Sequence, residues 1–199
     1  MRKRREVCKM TNRSSSVNST YRLTVYGMMT ALAFAANYIR FPFLGSYITV
    51  SNTLCVLCGY ILGPWAGFVT AGMGNFLFDL LTGYGIEGLV TLVSKGAVAL
   101  VAGLISYKTL REPKLAAKDR MMLFISAGAG ALTYVALYML KTLIFGLTVN
   151  GLDLNATLVK MGSKLPASLI NAVFATAAAP VMMNALHIPL HKLGVFRKG

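Results

Sequence analysis

Asn37, Arg40, Asn52, Asn75, Asp79, Lys95, Tyr138, Lys141, Ser168 and Asn171 all lie within or at the ends of long apolar runs. A charge or an amide in such a run must be paired or face a wet cavity, so each is a functional-site candidate. Their spacing sorts them into sets. Asn75 and Asp79 are four apart, as are Thr91 and Lys95. Tyr134, Tyr138, Lys141 and Phe145 follow at steps of three and four, and so do Lys164, Ser168 and Asn171. These steps place each set on one helix face. Amides, hydroxyls, aromatic rings and cations together suit the capture of a small, partly aromatic, polar ligand, with Lys95 or Lys141 balancing an anionic group. The alternative is an internal ion pair that only holds helices together, for example Asp79 with Lys95. One carboxylate cannot neutralise both lysines, although Glu87 and Asp153 in the loops could contribute.

Catalytic chemistry has little to build on. The sequence has no Gly-x-Ser-x-Gly nucleophile turn, no His-Glu-x-x-His pair and no phosphate-cradling glycine loop. The expectation is a chain that is not an enzyme, needs no cofactor and does not itself hydrolyse ATP. No metal site is expected either. Cys55 and Cys58 share a helix face but lack a third ligand, and Cys8 is remote in a tail. His187 and His191, four apart, have no nearby carboxylate or thiol and read as a solvated face.

The elements that must position these groups are membrane spans. Hydrophobic residues make up 56% of the 199, charged residues only 13%, and mean hydropathy is +0.62. Without water in the bilayer core, long continuous apolar runs must be helices. The expected architecture is an all-α integral membrane protein, a bundle of six transmembrane helices. Its spans are expected near 23–40, 48–62, 65–81, 89–107, 121–147 and 165–186, with loops at 41–47, 83–88 and 148–164. Gly63-Pro64 makes a tight turn, and Pro180 should kink the last span. Residues 1–20 read as a basic tail, 21–190 as one membrane domain and 191–199 as a short basic tail.

Charge orients the bundle. The formal net charge is +14. Fifteen of the twenty lysines and arginines fall in the N-terminal tail, the 108–120 linker and the C-terminal tail. By the positive-inside rule both termini are cytoplasmic, facing anionic lipid. No aromatic-interleaved basic face accompanies the charge, so a nucleic-acid partner is not expected. On this orientation the polar groups above gather in the outer half of the bundle. Small residues at four-residue spacing, Gly27-Ala31-Ala35, Gly59-Gly63-Gly67 and Ala99-Gly103, let backbones approach closely. The first set is the best candidate for an external partner.

Four features resemble the substrate-binding S components of energy-coupling factor (ECF) transporters, the micronutrient importers of prokaryotes. A basic tail runs into the alanine-rich helix Met28-Met29-Thr30-Ala31-Leu32-Ala33-Phe34-Ala35-Ala36. Gly59-Tyr60-Ile61-Leu62-Gly63-Pro64-Trp65-Ala66-Gly67 is similar to the family's Leu-Gly-Pro-x-x-Gly inner turn. Gly72-Met73-Gly74-Asn75-Phe76-Leu77-Phe78-Asp79-Leu80-Leu81 is similar to its Gly-rich third helix ending in Asp. Size and six spans complete the likeness. The resemblance implies a multi-pass protein of the prokaryotic plasma membrane that binds a vitamin or related micronutrient in an outward pocket. It also implies docking, through an Ala-x-x-x-Ala motif matched by Ala31 and Ala35, on a T component driven by two ATPase subunits. Phe41 to Tyr47 would then be the gate, and the bundle would topple to deliver its cargo. The substrate motifs of the biotin, thiamine and folate branches are absent. A stand-alone secondary transporter or channel is the alternative reading.

Overall fold

The computed structural model describes residues 20–43, 46–85, 87–111, 116–148, 151 and 153–192, with side chains to residue 190. The basic tails with Cys8, the linker residues 112–115 and the side chain of His191 lie outside the described residues.

Helix α1 (residues 20–35) ends in a single 3-10 turn, Ala36–Tyr38. The segment expected as an irregular loop is instead a β-hairpin. Strands β1 (Arg40–Phe43) and β2 (Ser46–Thr49) pair antiparallel, with Arg40 opposite Thr49 and Phe43 opposite Ser46. Aromatic and β-branched residues on both arms favour pairing, and Pro42 is tolerated because a two-stranded ribbon has only edges. The second span is correspondingly shorter than expected, because α2 (Ser51–Leu62) begins only after the hairpin.

Helix α3 (Pro64–Leu81) follows α2 after one residue. Gly63 makes this turn with φ 88°, a conformation other residues adopt only at a cost, and Pro64 opens the next helix at N1. Helix α4 spans Glu87–Ser106, α5 spans Ala117–Thr148 and α6 spans Leu154–Lys192. The expected loop at 148–164 is therefore mostly helix. Its polar residues suggested a loop, but Thr157 packs under the methylene of Gly146, which fastens this first part of α6 to α5.

Helix α2 lies at the centre, packed against α3, α4 and α6, and buries nine of its twelve residues. The glycine ladders explain how. A Cβ on Gly67 would come within 2.8 Å of the Gly59 Cα, and one on Gly103 within 2.9 Å of the Gly59 carbonyl oxygen. These ladders therefore serve contacts inside the chain. Tyr60, fully buried on α2, donates its hydroxyl to the Leu123 carbonyl of α5 at 2.6 Å and lies 2.9 Å from the Ser126 hydroxyl. Cys55 and Cys58 are free, buried members of this core. His187 is also buried, with Nε2 3.3 Å from the Leu110 carbonyl oxygen, so its place is a helix contact and not the solvated face expected.

The outer surface reverses the pattern of a soluble protein. Leu23, Val69, Leu81, Leu132, Val159, Val173 and Val181 are exposed. Helices Glu87–Ser106, Ala117–Thr148 and Leu154–Leu190 are each long and apolar enough to cross a membrane. The α1 ladder behaves unlike the others, for Gly27, Ala31 and Ala35 are exposed while Ala33 and Ala36 are buried.

Candidate functional site

The polar groups meet where the hairpin, the C-terminal end of α3 and the outer parts of α4, α5 and α6 converge. Asn75 ties the first three helices together. Its Oδ1 accepts from Asn37 Nδ2 at 3.0 Å and from the Ser51 hydroxyl at 2.5 Å, while its Nδ2 donates to the Ala71 carbonyl at 2.8 Å. Asn37 also donates to the Ala33 carbonyl at 2.9 Å, closing the end of α1. A buried amide with these partners costs little, and it fixes register between segments far apart in sequence.

The hairpin is pinned by Asn171 on α6. Its Oδ1 accepts from the Thr49 backbone N–H at 2.8 Å, and its Nδ2 donates to the Tyr47 carbonyl at 2.8 Å. A single side chain thus supplies both a donor and an acceptor to β2. The Ser46 and Tyr138 hydroxyls, 3.1 Å apart, join the other end of β2 to α5. Arg40 lies over the rings of Tyr47 and Phe78, 4.7 and 5.2 Å from their centroids.

Beneath the hairpin is a cavity of about 280 Å³, open at one side. Its walls carry the rings of Tyr47, Phe78, Tyr84, Tyr134, Tyr138 and Phe145. Tyr134 and Tyr138 are stacked at 5.6 Å on one face of α5. Lys95 is only 6% exposed, donates to Asn52 Oδ1, and stands 4.7 Å from the Tyr134 ring. Lys141 reaches across to Glu87, Nζ to Oε2 being 2.9 Å. Among the described residues this is the ion pair formed; the Asp79–Lys95 pair considered from sequence is not made. Aromatic walls with scattered donors, acceptors and cations can sandwich a planar ring and fix its orientation through its polar edge.

Of the ten candidates, Asn37, Arg40, Asp79, Lys95, Tyr138 and Lys141 line this cavity. The other four stand behind it. Asn52 holds Lys95, Asn75 joins the helices, Asn171 clamps the hairpin, and Ser168 donates back to the Lys164 carbonyl at 3.0 Å. The candidate list lacked Ser46, Tyr47 and Thr49, which reach the cavity from β2, and Lys160 and Lys164, which line it from α6. The two lysines are four residues apart, a spacing that signals one helix face once the segment is known to be helical.

A bundle of long apolar helices, with lipid-type side chains outside and its polar groups turned into one cavity, makes this a multi-pass helical membrane protein. The model of the family described as ECF-type riboflavin transporter, S component, matches residues 17–187, and the chain belongs to that family. This is a family of transporter components and not of enzymes. The Riboflavin transporter RibU of Staphylococcus aureus (strain TCH60) is 30% identical over 106 residues, 51% of this chain and 56% of that protein. The chain thus aligns with about half the length of this curated relative. A solved structure described as "Structure and mechanism of the S component of a bacterial ECF transporter" superposes with a TM-score of 0.60. It is 17% identical, covering 84% of this chain and 96% of that one, and the two share a fold.

Proposed function

We propose that this chain captures riboflavin or a closely related flavin from outside the cell and hands it inward with a T component and two ATPase subunits. The observation that carries the reading is the cavity beneath the hairpin. Stacked Tyr134 and Tyr138 offer a platform for a tricyclic ring, and Lys95 offers a charged donor to the ring's carbonyl and nitrogen edge. Family membership and the name of the staphylococcal relative point to the same ligand class.

In this reading the chain crosses the bilayer six times with both termini in the cytoplasm. Short α2 is completed by β2, whose polar backbone faces protein and a wet cavity. The hairpin is the gate, and residues 21–190 act as one membrane domain. The ten candidate residues divide between contacting the ligand and holding the groups that do. Exposed Ala31 and Ala35 form a smooth face on α1 on which a T-component helix can lie close.

The test is titration of the purified protein with riboflavin, followed by quenching of flavin fluorescence, and then uptake into proteoliposomes. Expected are saturable binding by the isolated chain, and uptake only when T component, ATPases and ATP are supplied. Uptake by the chain alone would assign it instead to the stand-alone transporters, and absence of flavin binding would refute the ligand class.

A further inference from the structure

Five lysines and arginines fall outside the three basic clusters: Arg40, Lys95, Lys141, Lys160 and Lys164. They come from β1, α4, α5 and α6, and every one of them lines the same cavity. Two carboxylates, Asp79 and Glu87, line it with them, and Glu87 is engaged by Lys141. Charge placed in the apolar part of a bundle is costly unless something compensates it. Lys95 finds Asn52 and the Tyr134 ring, and Arg40 finds two rings, but these are neutral partners. Lys160 and Lys164 stand one turn apart on α6, both half-buried, and neither forms an ion pair among the described residues. Lys164 has Tyr138 beneath it at 5.7 Å, which sets its ammonium beside the aromatic platform. A neutral ligand leaves this excess of positive charge unanswered.

Resting on the flavin reading above, we propose that the site is built for a phosphorylated flavin, its phosphomonoester held by Lys160 and Lys164. The ring system lies against Tyr134 and Tyr138 with its polar edge towards Lys95, and the phosphate stays at the half-buried side of the cavity. That division follows from solvation. A phosphate dianion would lose most of its hydration at buried Lys95, whereas half-buried ammonium groups meet it while water remains. Two lysines on one helix face can close on one phosphate together, each adding a charge-assisted hydrogen bond.

The experiment compares flavin mononucleotide with riboflavin on the purified full chain by fluorescence quenching, in wild type and in the double variant Lys160→Gln, Lys164→Gln. The mononucleotide is expected to bind wild type at least roughly tenfold more tightly. That preference should shrink as salt rises from about 0.05 M to about 1 M, because screening acts on the phosphate contacts. In the double variant the affinity ratio should fall towards one. Should the variant fail to fold, the wild-type salt series and Lys164→Gln alone decide the matter in the same way. Riboflavin binding with no preference for the mononucleotide, or a preference indifferent to salt and to both lysines, overturns the proposal and leaves flavin capture standing. Failure of both flavins to bind overturns flavin capture itself, and this proposal with it.

Discussion

Replacing Lys95 by Met removes one ammonium and keeps a flexible apolar stem of similar length. In the free protein two sets of terms oppose each other. The ammonium is buried with a neutral amide and a ring as partners, so its removal relieves a desolvation cost of several kcal/mol. Against that, the cation–ring attraction, about 0.5–2 kcal/mol, is lost. The Asn52 carbonyl is also left without its donor, at about 1–3 kcal/mol. These offset to within roughly 2 kcal/mol, so the melting temperature in detergent should move by no more than about 5 °C. No such cancellation protects binding. The ligand loses one charge-assisted hydrogen bond, about 1.5–3 kcal/mol, which weakens Kd by about 10- to 150-fold. Flavin quenching and thermal unfolding, run on the same preparations, separate the two effects. A Kd within about threefold of wild type would refute the assignment of Lys95 to the ligand. A collapse in thermal stability, with the folded fraction still binding normally, would make Lys95 a strut between α2 and α4.

Three further outcomes follow from the same geometry. Asn171→Ala removes two hydrogen bonds from the hairpin, at roughly 1 kcal/mol each, so flavin should dissociate about tenfold faster in stopped-flow chase experiments while the bundle stays folded. Ala35→Leu places a bulky side chain on the exposed α1 face. Flavin binding by the isolated chain should stay as in wild type, while co-purification with the T component and reconstituted uptake are lost. Gly63→Ala forces a Cβ into a left-handed turn and to within 2.5 Å of the Tyr107 ring, so the folded yield and melting temperature should fall by an amount matching at least about 1–2 kcal/mol.

Helix type and depth were legible from single residues, because the bilayer prices each residue separately. Lys95 and Lys141 announced themselves by the cost of a cation in an apolar run, and Gly63-Pro64 announced a turn that only a glycine conformation permits. The hairpin was harder to see. Its arms are four residues each, too short for alternation to stand out, although Phe41, Phe43, Tyr47, Ile48 and Thr49 have strand-forming side chains. The start of α6 was hidden by its own polarity. Lys160, Gly162, Ser163, Lys164 and Pro166 are what a loop looks like when the surroundings are taken to be either lipid or water.

The reason that segment misleads also explains the site. Around a wet cavity inside a membrane bundle, a helix carries its polar face inward and its apolar face outward. Val159 is accordingly exposed on the outside of α6, while Lys160 and Lys164 line the cavity. Partners such as Asn37 with Asn75, Lys95 with Asn52 and Asn171 with Tyr47 are joined across long stretches of chain, so local spacing is silent about them. What local chemistry does carry is a remainder. Once the basic clusters of the tails and the linker are set aside, the cations left over have no lipid headgroup to answer them and must find another site. All five line the one cavity, so the charge of the ligand is written in the sequence even where the geometry that receives it is not.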